Sequence, residues 1–356
     1  MCSSSFAVTH SDMRSSPDGI RFVLVAGTTE TAQRDGISAA GADPDLMATT
    51  PAADAELVTY GRPVRTDTVP VSPSGCPTPA LVTRAVREVL GFDLAVVDGG
   101  LAEPSGAPTV TVGARPGRDV REQDPVPSAP GAFEAARQFG HRLPADELWL
   151  AESIPGGTTT ALGVLRALGE TSMVSSSLAE NPIEQKERAV TQGLAASSMA
   201  PGDAAGEPKR ALRRMGDPVL ATLAGLTAGA VETDTAVTLA GGSQQLAVAA
   251  LVRHGGYEGR LGLATTSYVA DDQTTALRSD ADALSLDLTV TDPGFGAADH
   301  VAMERFVAGE AKEGVGMGGA LALADRAGVP MADVRDRFAT VYDDLVETPV
   351  ADEEHR

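Results

Sequence analysis

Cysteine, lysine and long apolar runs are all scarce in this chain of 356 residues. The two cysteines are Cys2, in a polar N-terminal stretch, and Cys76, in a Pro-rich loop, so neither a disulfide framework nor a Cys-based zinc spacing can be assembled. No stretch reaches the roughly 18 apolar residues of a membrane span, and Met1 to Asp18 lacks the apolar centre of a signal peptide. A cytoplasmic location is expected. Lysine occurs only at positions 186, 209 and 312, and Lys+Arg number 28 against 49 Asp+Glu, a formal charge of −21. Acid spread along the whole chain repels a phosphate backbone, which argues against nucleic acid and against polybasic membrane docking as partners. An acidic, Lys-poor composition reads as adaptation to high salt. In molar salt the Debye length falls to about 3 Å and screens the self-repulsion, so the chain is expected to need salt to stay folded.

What is present is a globular composition, 42% hydrophobic. Length allows one large α/β domain, or one with a smaller partner. Short β-rich apolar runs recur at Arg21–Ala26, Leu94–Asp98, Glu147–Ala151, Val237–Ala240, Leu261–Thr266 and Leu284–Val290. Helical patterns lie between or beyond them: Pro79–Leu90, Gly131–Phe139, Thr159–Leu168, Ile183–Ala196, Val219–Ala230, Ser243–His254 and Glu310–Ala327. Gly99–Arg142 and Ala200–Pro218 read as irregular excursions. This alternation predicts an α/β fold, a Rossmann-like, mostly parallel sheet flanked by helices, with a smaller helical portion from terminal segments. The expected layout is a single domain over 20–347 between tails 1–19 and 348–356. In such sheets ligands bind at the loops after the strands' C-terminal ends. Three such loops stand out, Ala26–Thr31, Glu152–Thr160 and Ala240–Gln245.

The loop Glu152-Ser153-Ile154-Pro155-Gly156-Gly157-Thr158-Thr159-Thr160 offers backbone N–H groups, hydroxyls and a helix N-terminus, an arrangement suited to a phosphate. Its simpler reading is a strand–turn–helix with a Thr cap. Neither a Walker A motif nor G-x-G-x-x-G is matched there, so a nucleoside triphosphate or dinucleotide is not indicated. In Gly309–Ala320, glycine in an otherwise helical pattern costs about 1 kcal/mol per residue relative to Ala and calls for a reason, such as close backbone approach to a ligand. Glu313 at its mouth is a candidate general base, against the commoner fate of a solvated acid at a helix start.

These motifs together resemble the nicotinate-nucleotide–dimethylbenzimidazole phosphoribosyltransferases, which make the lower-ligand nucleotide of cobalamin, and in particular their archaeal branch. The resemblance spans about Phe22 to Asp325. Glu152, Gly156, Thr158 and Thr159 fit the family's Glu-x-x-x-Gly-x-Thr-Thr loop. Lys312-Glu313-Gly314-Val315-Gly316 fits its Gly-Glu-Gly-x-Gly motif with Lys in place of the leading Gly. Gly27–Ala32, Gly36–Gly41 and Thr50–Glu56 match the archaeal branch, and Gly225 and Val237–Gly242 are also similar. The resemblance implies transfer of phosphoribosyl from nicotinate mononucleotide to an aromatic base. Glu313 would be the general base and Glu152 would stabilise the sugar. Gly156, Gly157, Thr158, Thr159, Lys186, Gly241 and Gly242 would hold the phosphoribosyl group. It implies no cofactor, no metal and a homo-oligomer, with a dimer expected. The family's base-binding pattern is not matched. Ser72–Pro79 stands in its neighbourhood, so the base-binding residues are left unassigned.

Two other readings compete. Tyr268–Thr275 is similar to the loop of phosphoribosyl-pyrophosphate-dependent transferases, although Ala276 follows where that class has Gly. A non-catalytic nucleotide-binding protein of the same fold is the other. His141, His254 and His300 are isolated and read as structural, Lys209–Arg214 as a helix face paired with acids, and Trp149 as core. Asp98 and Asp234, near strand ends, are candidates for a ribose contact.

Overall fold

The structure is a computed structural model that describes residues 19–34, 36–38, 44–72 and 74–347. The expected tails up to Asp18 and from Thr348, Ala39–Gly41 of one archaeal-type segment and Pro73 lie outside the described residues. Among the described residues, seven strands form one sheet: β1 Ile20–Ala26, β2 Asp93–Asp98, β3 Thr109–Thr111, β4 Glu147–Ser153, β5 Ala236–Ala240, β6 Leu261–Thr266 and β7 Leu286–Thr291. Their order is β3-β2-β1-β4-β5-β6-β7 and every pair is parallel. β1 is buried along most of its length because it is central, with Leu24 in register with Val96 on one side and Ala151 on the other. A strand covered on both faces by helices is an unbroken apolar run rather than an alternating one.

The described residues also form thirteen helices around the sheet: α1 Thr50–Tyr60, α2 Ala80–Leu90, α3 Ala129–Gly140, α4 Gly157–Leu168, α5 Ile183–Ala196, α6 Pro208–Met215, α7 Pro218–Val231, α8 Ser243–His254, α9 Ser267–Ala270, α10 Leu277–Ala283, α11 Val301–Val307, α12 Met317–Arg326 and α13 Met331–Glu347. One core layer joins the sheet to α3–α8, and a second joins its other face to α1, α2 and α11–α13. α7 is buried nearly all round. It starts where the Asp217 carboxylate accepts from Leu220 N (2.8 Å) and Pro218 opens the first turn.

Three sequence expectations change. The region Gly99–Arg142 contributes the edge strand β3, which has no long apolar period to mark it, and Ala200–Pro218, irregular in the sequence apart from the helix face expected at Lys209–Arg214, contains α6. The helix expected from Glu310 begins only at Met317. Before it the backbone takes positive φ at Ala311 (45°), Gly314 (144°), Val315 (52°) and Gly316 (72°), which no helix accommodates. The glycines there serve packing on the sheet. A Cβ on Gly316 would lie 2.5 Å from Phe22 Cζ, and one on Gly319 would lie 2.3 Å from Ala240 Cβ.

The chain turns outward from β1 in one direction to β2 and β3, and from β4 in the other to β5–β7. The sheet therefore has a switch point between β1 and β4, and the crevice beyond their C-terminal ends is where a ligand meets the most loops.

Candidate active site

A cleft of about 940 Å³ opens at that edge, beyond β4 and β5. Of the site residues expected from sequence, Glu152, Gly156, Gly157, Thr158, Gly242 and Glu313 line it. Gly241, Thr159 and Lys186 stand behind the wall. Thr159 is fully buried, and its Oγ1 has no partner among the described residues.

Two helix N-termini meet at the cleft. Gly156 caps α4 with φ 77°, and a side chain there would strike Ala32 N at 2.8 Å. Gly242 precedes α8, and α8 touches α4 so closely that a Cβ on Gly157 would lie 2.3 Å from Gln244 Nε2. The Ser175–Ser177 segment closes this corner, with Ser175 N donating to Ser243 Oγ (2.8 Å). Backbone N–H groups and hydroxyls thus converge where the dipoles of both helices are positive, which favours an anion.

Glu152 is the penultimate residue of β4, with 3% of its surface exposed. Gln245 Nε2 donates to its Oε2 (2.6 Å), and a Cβ at Gly241 would come within 2.9 Å of that oxygen, so glycine is required there. Burial pushes its pKa up to about 8, and the charge of Glu313 adds to the rise. Glu313 sits on the loop before α12. Its Oε1 accepts from Gly314 N (3.1 Å) and Gly318 N (3.0 Å), and its Oε2 from Thr266 N (3.1 Å) and Thr265 Oγ1 (3.3 Å). Burial raises it to about 7 while these four donors oppose the rise. Glu313 therefore ionises before Glu152: its anion has four donors, whereas Glu152 has the Gln245 amide.

Sequence reading missed Asp54. It lies on α1, lines the cleft and accepts from Thr78 Oγ1 (2.7 Å) and Ser153 Oγ (2.6 Å). Burial lifts it to about 6. The signal available was an acid in the alanine-rich opening of a helix. The Ser72–Pro79 loop, left without a role, forms a wall in which Cys76, Pro77 and Pro79 stand beside Val71. Cys76 is buried and its thiol is pushed up to about 12, so it contributes surface rather than a nucleophile.

Other expectations resolve elsewhere in the molecule. The threonines after β1 tie the scaffold together, with Thr28 Oγ1 donating to Gly100 O (2.9 Å) and Thr31 Oγ1 accepting from Val120 N (2.9 Å), and they do not line the cleft. Asp98 caps Gly100 N and Leu101 N (both 2.9 Å) rather than facing a ribose. Asp272, in the loop of the pyrophosphate reading, binds Lys312 (2.8 Å) and Thr274 Oγ1 (2.7 Å). His254 bridges Gly206 N and Glu170, His300 caps α11, and Arg213 pairs with Asp124, all as structural readings anticipate. Trp149 is core, as expected.

The raised carboxyls make stability fall with pH. Asp54, Asp217 (about 6), Glu313 and Glu152 hold protons in the folded state that the unfolded chain has released above about pH 4, so folding is progressively disfavoured as pH climbs. Lys186, depressed to about 7, acts oppositely above that pH. Denaturation in constant molar KCl is expected to show stability falling from about pH 5 to about pH 7. Glu152→Gln is expected to flatten that slope and to stabilise the protein at neutral pH by on the order of 1–3 kcal/mol. A variant as pH-sensitive as wild type would contradict the assignment.

A doubly wound parallel sheet with such a cleft at its switch point is the α/β architecture in which ligands bind beyond the carboxyl ends of the strands. Among solved structures, the nicotinate-nucleotide-dimethylbenzimidazole phosphoribosyltransferase of Thermus thermophilus shares the fold, with TM-score 0.56 and 17% identity over 91% of this chain and 82% of that one. A structure of CobT from the same organism gives TM-score 0.57 and 18% identity, covering 91% and 83%. No family model matches the chain. The protein belongs to the UPF0284 family. A UPF0284 protein of Halobacterium salinarum is 59% identical over 332 residues, 93% of this chain and 99% of that protein, and one from Methanosarcina mazei is 39% identical over 329 residues, 91% and 93%. The Halobacterium relative fits the salt adaptation inferred from the acid surplus. Among the described residues no helix is long and apolar enough to cross a membrane.

Proposed function

We propose that the protein transfers the 5-phosphoribosyl group of nicotinate mononucleotide to a ring nitrogen of a benzimidazole-type base, releasing nicotinate and forming the α-riboside 5′-phosphate used for the cobamide nucleotide loop. The observation that carries this reading is Glu313, a carboxylate with pKa about 7 held by four donors and lining the cleft. A general base works best when its pKa lies near the working pH.

The base nitrogen attacks the anomeric carbon as the bond to the pyridinium nitrogen breaks, and the bonding pair leaves with nicotinate. The other ring nitrogen of the base becomes acidic and gives its proton to Glu313. The pyridinium ring of the leaving group is already cationic and becomes a neutral pyridine as nicotinate departs, so little acid assistance is needed. Attack opposite the leaving group inverts the anomeric centre. Glu152, protonated at neutral pH, hydrogen-bonds the ribose, and the developing sugar cation is countered by ionised Glu313. Gly156, Gly157, Thr158 and Gly242 face the 5′-phosphate, while Gly241, Thr159 and Lys186 hold those segments from behind. The apolar wall of Val71, Cys76, Pro77 and Pro79 takes the flat base.

The test is chromatographic detection of nicotinate and the riboside phosphate after mixing protein in molar KCl with nicotinate mononucleotide and 5,6-dimethylbenzimidazole, without magnesium. Equimolar appearance of both products supports the reading. Nucleotide binding with no nicotinate released, with any of several benzimidazoles or adenine, moves the protein to a non-catalytic binding role.

A further inference from the structure

Two of the chain's three lysines stand at the corner of the cleft where the helix N-termini converge, and they differ in what they can do. Lys186, on α5, is fully buried. Its Nζ donates to Ser175 O (2.7 Å) and Asn181 Oδ1 (3.1 Å), both neutral acceptors. It braces the Ser175–Ser177 segment from behind and does not line the cleft.

Lys312 does line it, and among the described residues lining the cleft it is the only Lys, Arg or His. Its Nζ donates to Asp272 Oδ2 (2.8 Å), and the two side chains are only 11% and 5% exposed. Asp272 is itself fixed, accepting from Thr274 N (2.9 Å) and Thr274 Oγ1 (2.7 Å). The backbone around Lys312 is tied to the anion corner: Ala311 N donates to Ser177 O (2.9 Å), and Lys312 O accepts from Thr266 Oγ1 (2.6 Å). An ammonium has three N–H donors, so one can stay on Asp272 while the others reach a ligand.

The remaining ionisable groups along the cleft are the carboxyls Asp54, Glu152 and Glu313, along with the thiol of Cys76. A phosphomonoester carries up to two negative charges, and the helix N-termini of α4 and α8 each offer about half a positive charge. Lys312 is the cation lining this corner; because Asp272 shares its charge, what it offers a phosphate is the free N–H donors and the positive end of the Lys312–Asp272 pair. We propose that Lys312 binds the phosphate of a phosphomonoester substrate directly, with Asp272 holding its ammonium in place and Lys186 positioning the Ser175–Ser177 backbone. The inference rests on the phosphoribosyl reading for the ligand, but not on any transfer step.

Calorimetric titration in molar KCl tests it, with nicotinate mononucleotide, nicotinate riboside and inorganic phosphate as probes on wild type, Lys312→Gln and Lys312→Arg. Wild type is expected to bind the mononucleotide at least about tenfold tighter than the riboside, and inorganic phosphate is expected to compete for the same site. Lys312→Gln is expected to weaken the mononucleotide about 10- to 100-fold and leave the riboside unchanged, with Lys312→Arg recovering most of the loss. Equal losses in both arms, or none in either, overturn the proposal. If Lys312→Gln melts early, Asp272→Asn keeps the ammonium but loosens it; a change confined to the phosphate-bearing probes supports the role, and a change in both arms overturns it. Phosphate selectivity that depends on Lys312 without transfer to any base would leave this inference standing and remove the transferase reading. A wild type that binds none of the probes removes both.

Discussion

Glu313→Gln is expected to lower the rate of phosphoribosyl transfer by about 10²- to 10⁴-fold, the usual worth of a positioned general base, while leaving nicotinate mononucleotide binding within a few fold. The amide keeps the size, but its one oxygen can accept from only one pair of donors, Gly314 N with Gly318 N or Thr266 N with Thr265 Oγ1, and its NH2 faces the other pair, so melting is measured beside the rate to separate loss of the base from a shift of the α12 loop. It also loses the ability to take a proton. Wild-type kcat is expected to rise about tenfold per pH unit up to about pH 7 and then level, because Glu313 titrates there. The variant's residual rate is expected to be flat over that range. A variant with wild-type kcat would remove Glu313 from the chemistry whatever the reaction proves to be.

The second large effect is expected at a residue with no side chain. A Cβ on Gly318 would lie 2.4 Å from Glu313 Oε2, 2.5 Å from Thr265 Cα and 2.6 Å from the Thr265 carbonyl carbon. Those Thr265 atoms are backbone of β6 and cannot yield, so Gly318→Ala must push α12 off the sheet and pull Gly318 N away from Glu313. Overpacking of this kind costs about 1–3 kcal/mol, and the displaced base is expected to lose at least about tenfold in kcat. Thermal melting and initial rates on one preparation separate the two losses. A variant that is folded, as stable as wild type and fully active would show that the Gly318–Glu313 contact is not needed.

Much of the fold could be read from the chain because buried parallel strands have a strong local signature. Leu261–Thr266 matches its strand to the residue, and Ile183–Ala196 and Ser243–His254 match their helices, since helix boundaries and apolar periods coincide there. β3 was not legible: it is an exposed edge of three residues, with no apolar run to mark it. The Glu310–Gly316 loop was hidden for a different reason. Its sequence is compatible with a helix, but the backbone takes positive φ at Ala311, Gly314, Val315 and Gly316, with Gly316 seated against Phe22 and Ala151 of the sheet. At the site, Glu152 and Glu313 were legible from their motifs. Asp54 was not, because it comes to the cleft from a helix about a hundred residues before Glu152, through contacts with Thr78 and Ser153.

The sequence by itself determined the α/β class, the acidic and Lys-poor surface, and the two carboxylate-bearing glycine motifs, because each depends on composition or on neighbours within a few residues. Only the tertiary structure decided which motif residues line the cleft. Thr159 adjoins Thr158 on α4 and Lys186 packs against Ser175, yet both are turned into the wall, while Lys312 lines the cleft with its ammonium on Asp272. It also decided the protonation of the acids. Burial, which comes from packing between distant segments, lifts Asp54, Glu313 and Glu152 to about 6, 7 and 8 in one cleft.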